Sequence, residues 1–439
     1  MQKLENKRTE MSDFNNTIKE LENEIDKIND DELSKYQIYE RTPKAGFSPK
    51  NYEEISKIIK ESNKNGLKIV GSGGATKLGF GNIPTGYDII VSSSKFNNTI
   101  EYVPEELTIS VQSGITISSL QEIVNAKNQF IPIDSIFPNA TLGGIIATNT
   151  NGILRTSYGS LRDLVLGIKA VDGNGKIIKA GGKVVKNVAG YDLSKVFIGS
   201  LGTLGIITEI NMRTYPLPEY ESTLIIQSNN LDKLRDIVED IQRYSYPGGL
   251  ELINSNFVEQ LINSEYEWNL LIRYLGHKNS INEQTSKDKK ILKKPDGEIQ
   301  EIDGINSKEL WKKYHNVLSD NYETVIKIIV PITTSTNILE SLNTLQKYTP
   351  LIYCEPSLGI IHMQIDSKNK DFGSSEITNI RNEIEKKNGI LIIENTTSTI
   401  KNEINSWGNH NNNINIMNQI KNAFDGNNVL SPGRFLGGI

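Results

Sequence analysis

The chain has 439 residues, 48 Lys and Arg against 53 Asp and Glu, and a formal charge of −5; its length calls for two or three domains. Lysines scattered among acids leave no basic stripe for nucleic acid or an anionic membrane surface. No apolar run approaches the roughly 20 residues of a membrane span, and the polar start Met1-Gln2-Lys3-Leu4-Glu5 is unlike a secretion signal. A lone cysteine, Cys354, excludes an internal disulfide or a Cys-rich cluster. The expected location is cytoplasmic.

Residues 1–30 carry a seven-residue repeat, with Leu4, Met11, Ile18 and Ile25 in one row and Phe14, Leu21 and Ile28 in the other. Two readings stand side by side: a short zipper that docks a second subunit, or an amphipathic helix lying on its own protein. Residues 48–66 predict a helix with Ser48 as N-cap, Pro49 at its first position, apolar Ile55, Ile58 and Ile59, and Gly66 as the stop. The apolar run Leu67 to Val70 then empties into a loop from Gly71 to Gly81. Glycine at 71, 73 and 74 removes side chains that would hold a polyanion off. It also lets the amides of Gly71, Ser72, Gly73, Gly74, Ala75 and Thr76 converge on one point. The spacing matches neither a Rossmann fingerprint nor a P-loop, and Gly79, Gly81 and Pro84 forbid the helix both require. An ordinary glycine-rich turn uses the same residues.

Strand-like runs follow at Tyr87 to Val91 and Leu107 to Val111, then a helix from Ile115 to Asn125, so the first part of the chain reads as α+β. Next comes Pro132-Ile133-Asp134, then Thr141-Leu142-Gly143-Gly144, which opens a second close-approach loop beside the small polar Thr148, Asn149 and Asn151. Tyr158-Gly159 leads into an alternating strand, Val165 to Val171, and a hairpin turn at Asp172-Gly173-Asn174-Gly175. Two more glycine-dense stretches, Gly181 to Leu193 and Gly199 to Glu209, exceed what turn-making demands.

From residue 221 the pattern changes to strands separated by amphipathic helices such as Leu231 to Tyr244. The strands are Leu224 to Ile226, Leu250 to Leu252, Leu270 to Tyr274, Val325 to Val330, Ile360 to Ile365 and Ile390 to Ile393. An antiparallel sheet with helices on one face is expected. The charged stretch 278–300 reads as a solvated insertion, the asparagines near 409–418 as compositional bias. Met417 to Phe424 reads as a last helix.

Taken together, Gly71 to Thr76, Pro132 to Asp134, Thr141 to Gly144, Tyr158-Gly159, Val185 to Leu193 and Gly199 to Gly205 closely resemble FAD-linked oxidases of the vanillyl-alcohol-oxidase (p-cresol methylhydroxylase) type. That group includes the FAD-binding glycolate oxidase subunits and the flavin D-lactate dehydrogenases. The resemblance runs from about residue 40 to residue 439 and implies an α+β fold with a two-subdomain FAD-binding domain and an antiparallel-sheet α/β cap. The implied division is an N-terminal helix at 1–34, an FAD domain at 35–220 (subdomains 35–95 and 96–220), a cap at 221–415, and a segment at 416–439 returning to the FAD domain. By resemblance Gly71 to Thr76 hold the pyrophosphate, Thr141 to Gly144 and Asn149 the middle of the cofactor, Tyr158 and Gly159 the region near the flavin ring, and the Ile206-Ile207 backbone the adenine, with Pro132 and Asp134 also binding the cofactor. No histidine or cysteine precedes His277, so the FAD is expected to be noncovalent.

The implied reaction is oxidation of a small 2-hydroxy acid, by a complex that passes electrons to an iron–sulfur partner and a quinone. Partners could then hold the protein at the inner face of the membrane. A self-sufficient D-lactate-type dehydrogenase and a non-catalytic flavin subunit are the alternatives. Such a reaction needs a cation for the carboxylate and a base or metal at the hydroxyl. Arg273 and His362, each mid-strand in an apolar run, are the catalytic candidates, with Arg434 and Lys186 behind them. A structural ion pair and a satisfied core histidine are the bland readings. The metal-binding histidine setting of the family's catalytic members reduces here to Ser357-Leu358-Gly359-Ile360-Ile361-His362. Only His410 follows it, so no metal is expected.

Overall fold

A computed structural model describes residues 14–182, 192–292, 296–320, 322–366, 368–369, 371–408 and 413–439. Strands β1 (Ala45–Phe47), β2 (Ile69–Ser72) and β3 (Ile89–Ser92) form a parallel sheet in the order β1-β3-β2. The helix Tyr52–Lys64 is the crossover between β1 and β2, and Ile55, Ile58 and Ile59 bury its apolar face against Phe47, Ile69 and Ile89. Its N-cap is Asn51, which accepts from the Glu54 amide, while the Glu54 carboxylate accepts from the Lys50 amide. The expected start at Ser48 and Pro49 is therefore corrected. Ser48 is tied instead to Asp26, its amide donating to that residue's carbonyl at 2.8 Å.

Of the seven-residue repeat, 14–22 are helical, and Ile18, Leu21, Ile25 and Ile28 are buried in this chain's own core. Both rows of the seam are thus covered from within between residues 18 and 28. Leu4 and Met11 lie outside the described residues.

A second, antiparallel sheet has the order β4-β5-β9-β7-β8, with β4 (Thr99–Val103), β5 (Thr108–Gln112), β7 (Val165–Asp172), β8 (Ile177–Gly181) and β9 (Gly205–Arg213). The short strands β6 (Gln129–Phe130) and β10 (Tyr215–Pro216) pair beside it. The β7–β8 hairpin turns at the expected residues, with Gly175 at φ +73°, a backbone angle that favours glycine.

The largest sheet is antiparallel throughout, in the order β14-β11-β13-β12-β16-β17-β15-β18. Its strands are β11 (Tyr220–Ser228), β12 (Gly249–Asn254), β13 (Trp268–Gly276), β14 (Ile299–Asp303), β15 (Thr324–Ile329), β16 (Leu351–Glu355), β17 (Ile360–Ile365) and β18 (Ile390–Asn395). Side chains alternate between its faces. Leu224, Leu252, Ile272, Ile326, Ile361 and Ile393 point to one face, where the helices Leu231–Tyr244, Ser335–Asn343 and Ser374–Lys386 cover them. The other face is split. Over Ile225, Leu271 and Tyr353 it is covered by the helix Gly304–Ser319 through Trp311 and Tyr314, so helices occupy both faces rather than the one expected. Toward the β18 edge the same face carries Lys327, His362 and Glu394 and meets the cofactor-side loops.

Residues 278–300 are also corrected. Lys278–Ile291 is a helix and β14 follows. Ile281, Thr285, Asp288 and Leu292, spaced four, three and four apart, make one buried stripe. Two of the four are polar, which hides the stripe from a hydrophobicity count. Asp288 is satisfied inside the stripe, accepting from Ser245 at 2.6 Å and Tyr274 at 2.8 Å.

Residues beyond the last helix, Ile414–Asp425, run back to β2. The Ile69 amide donates to the Val429 carbonyl and the Ser431 amide to the Ile69 carbonyl. Arg434 then donates to the carbonyls of Leu78 and Phe80, both at 2.6 Å.

Because Leu21 is fully buried in this chain, Leu21→Ala should destabilise the fold by about 2–5 kcal/mol in urea unfolding and leave the native mass unchanged. A mass change without loss of stability would mean that the seam faces another subunit.

Candidate active site

Two cavities adjoin, and Thr76, Lys77, Ile136, Phe137 and Thr150 line both. Counting their open mouths, they enclose about 1000 and 1210 Å³, enough for a large extended ligand.

The first cavity is walled by the loop after β2, by Thr141, Gly143 and Gly144, and by Ile206 and Ile207 of β9. A side chain at Gly73 would stand 1.8 Å from the Thr141 hydroxyl, and one at Gly74 2.2 Å from the Asn139 carbonyl. These glycines are therefore required by the approach of two protein loops, ahead of any ligand. At Gly71 an added Cβ would meet only Ile206, at 3.6 Å, an ordinary contact. Among the described residues, no hydrogen bond engages the amide N–H groups of Gly73 through Lys77. Ala75, at φ +58°, bends them into a concavity of the kind that receives anionic oxygens. The Ser113 hydroxyl, on the same wall, is buried without a partner.

The expected loop at Gly143-Gly144 is a short helix, Leu142–Thr148, because Thr141 caps it, accepting from the Gly144 amide. The amides of Leu142 and Gly143 donate to Ile115 and Ser113. That segment shapes the wall, and the uncommitted donors belong to the loop after β2.

Of the residues assigned by resemblance, Gly71 to Thr76, Thr141, Gly143, Gly144, Ile206 and Ile207 line the first cavity and Asp134 the second. Pro132, Leu142, Asn149, Tyr158 and Gly159 line neither. Leu142 is core, Asn149 ends its helix at φ +50°, and Tyr158 is wedged between Phe130 and Tyr215 with ring centroids at 5.3 and 5.1 Å. Arg273 also lines neither cavity. It is paired with Glu221 at 3.0 Å and Asp134 at 3.5 Å and lies over the Trp311 ring, so the ion-pair reading describes it. Val185 to Tyr191, with Lys186, and His410 lie outside the described residues.

The second cavity is lined by the polar part of the large sheet's second face. Lys327, His362 and Tyr353 stand opposite one another across β15, β17 and β16, and the rings of Tyr353 and His362 stack at 4.8 Å and 4°. Burial, reinforced by Lys327, depresses His362 to about 3, so it is neutral near pH 7, and its Nδ1 has no partner. Lys77 pairs with Glu394 at 2.9 Å. Burial pushes the Glu394 carboxyl up, but Lys77 and Lys327 outweigh it and hold the group at about 2. Lys327, whose pKa burial lowers, has no ion-pair partner within 4.0 Å among the described residues. Farther along, burial raises Glu251 well above the carboxylate range and Glu355 to about 7. His315, lowered by burial, sits 3.7 Å from Asp134.

The model of a family described as an FAD binding domain matches residues 43–181. That match covers 139 of the 439 residues. The chain is 38% identical over 204 residues to glycolate oxidase subunit GlcD of Bacillus subtilis, covering 46% of this chain and 43% of that one. It is 32% identical over 211 residues to a D-lactate dehydrogenase of Archaeoglobus fulgidus, covering 48% and 47%. A D-2-hydroxyglutarate dehydrogenase of Stutzerimonas stutzeri is 30% identical over 201 residues, covering 46% and 43%. These alignments span less than half of each relative's own length. The fold extends the likeness to the whole chain. A 4-ethylphenol oxidase from Gulosibacter chungangensis superposes with a TM-score of 0.76 over 96% of this chain and 97% of its own at 15% identity. A p-cresol methylhydroxylase does so with 0.73 over 96% of each, also at 15% identity. The fold is therefore of the p-cresol methylhydroxylase type, with FAD as its cofactor, and the cradle's free amides suit a diphosphate.

No helix among the described residues is long and apolar enough to cross a membrane, and none of their His, Cys, Asp and Glu side chains group as a metal site.

The two glycine positions separate packing from ligand approach. Gly74→Asp should purify with little or no flavin absorbance because the 139–141 wall is displaced, whereas Gly71→Ala should retain a wild-type flavin content. Equal flavin in both variants would contradict this account of the cradle.

Proposed function

We propose that the chain is an FAD-dependent dehydrogenase of a small 2-hydroxy acid, working as the FAD-binding subunit of a glycolate-oxidase-like complex that hands electrons to an iron–sulfur partner and a quinone. The observation that carries this is Lys327, a cation with no ion pair among the described residues, in a cavity that directly adjoins the diphosphate cradle. The relatives named above are glycolate, lactate and hydroxyglutarate enzymes, and they support the same reading.

In this reading Gly73 to Lys77 and Ser113 hold the diphosphate, and residues 221–415 are the cap over the flavin. Bound FAD supplies a two-electron acceptor for the hydrogen on the substrate α-carbon. Lys327, with no competing ion pair among the described residues, receives the substrate carboxylate, while Lys77 is held by Glu394. The uncharged His362 ring, held flat against Tyr353, orients the substrate through Nδ1. With a pKa of about 3 it does not store a proton at neutral pH. Arg273 acts from behind the wall by holding Asp134 in place.

The D-lactate dehydrogenase among the relatives favours a second reading in which the chain oxidises its substrate without a partner. Purified holoprotein mixed anaerobically with glycolate, D-lactate or D-2-hydroxyglutarate decides between them. Loss of the flavin band in the chain alone supports the self-sufficient enzyme. Loss only after partner subunits are added supports the complex. An unchanged band under every condition would leave a structural flavin subunit.

A further inference from the structure

We infer that Glu355 is the catalytic proton acceptor for the substrate hydroxyl in the second cavity, a role that rests on the hydroxy-acid reading above. Glu355 closes β16 two residues after Tyr353 and so shares its face, the face that carries Lys327 and His362. It is 5% exposed, lines the cavity, and its Oε2 is buried with no hydrogen-bond partner among the described residues. A buried carboxylate oxygen left without a donor is costly, and a substrate O–H supplies the donor.

Several other groups that line the cavity are disqualified by their surroundings. Glu394 is committed to Lys77 and holds its proton too weakly. His362 is held too low by burial. Glu251 is raised well above the carboxylate range by burial and by the neighbouring Glu355 charge, and Tyr314 and Tyr353 are raised well above the usual phenol range by burial. Asp134 faces Arg273 and His315. Around Glu355 itself, burial raises the carboxyl, Arg155 and Lys327 lower it, and Asp134 raises it, leaving it at about 7. That is where a base both accepts and returns a proton readily at working pH.

The step balances as follows. The hydroxyl O–H bond breaks and its proton passes to Glu355. The α C–H bond breaks and its hydrogen leaves with the electron pair to the flavin oxidant, while the oxygen lone pair closes the carbonyl of the 2-oxo acid. Glu355 then returns its proton to water.

The test uses the holoprotein. In single-turnover flavin reduction the wild-type rate should climb as pH rises through about 7, the value set by burial. Glu355→Gln should lose about 10²–10⁴-fold in rate with little change in KM and show no such limb. Glu355→Asp, which keeps a carboxylate, should recover part of the rate. Infrared titration gives a readout independent of turnover: a carboxylic-acid band that disappears near neutral pH in the wild type, absent in Glu355→Gln and shifted to higher pH in Arg155→Met. A Glu355→Gln enzyme that keeps the wild-type rate and pH limb, or an infrared band that the substitution leaves in place, would overturn the assignment. If no hydroxy acid reduces the wild-type flavin, with or without partner subunits, the parent reading fails and the catalytic role fails with it.

Discussion

Two loops from different sheets meet at Gly73 and Gly74 with no room for a side chain, and the rest of the site is arranged from that contact. Thr141 and Asn139 form the opposing surface, and Thr141 is held by capping its own helix. The approach draws the amides of residues 73–77 into a curve without satisfying them. The hydrogen bonding that the protein leaves open there suits a polyanionic ligand. The cradle is in this sense made by packing, and the ligand inherits its shape.

The second cavity depends on a different constraint, the two-sidedness of a β-sheet. One face of the large sheet is continuous aliphatic core, so its register is strongly fixed. Alternation then forces Lys327, His362 and Glu394 onto the opposite face as a group. Three ionisable side chains buried together raise the question of how their charges are tolerated. Lys77 answers it from the cofactor side by neutralising Glu394, which leaves the Lys327 charge available to a ligand. Burial sets the remaining titrations, raising Glu251 and Glu355 and lowering His362 although all three line one cavity. A site with groups spread across the pH scale in this way suits proton handling.

Much of this is legible in the sequence, for reasons that differ between parts. The glycine-rich blocks point to FAD because each is a local feature of the chain, and the strands of the large sheet are visible as apolar runs. The helix at 278–291 is missed because its buried stripe contains Thr285 and Asp288, so composition reads it as solvated. Asn149 stands between the wall residues Thr148 and Thr150 but the end of its helix directs it elsewhere, and an aromatic cluster holds Tyr158 away from both cavities. Arg273 attracts notice as a charge in an apolar strand, and the same signal is present in Lys327 and Glu394. What the linear pattern lacks is the sheet order. It places β15, β17 and β18 over the cofactor loops and β13 beside Glu221, and so decides which mid-strand charges face a ligand and which face each other.

The clamp from Arg434 to the carbonyls of Leu78 and Phe80 spans 356 positions of chain, and the neighbouring segment also completes the edge of β2. During synthesis the cradle loop leaves the ribosome long before its clamp is made. The nascent chain thus carries a loop whose clamp is missing until translation has passed residue 434.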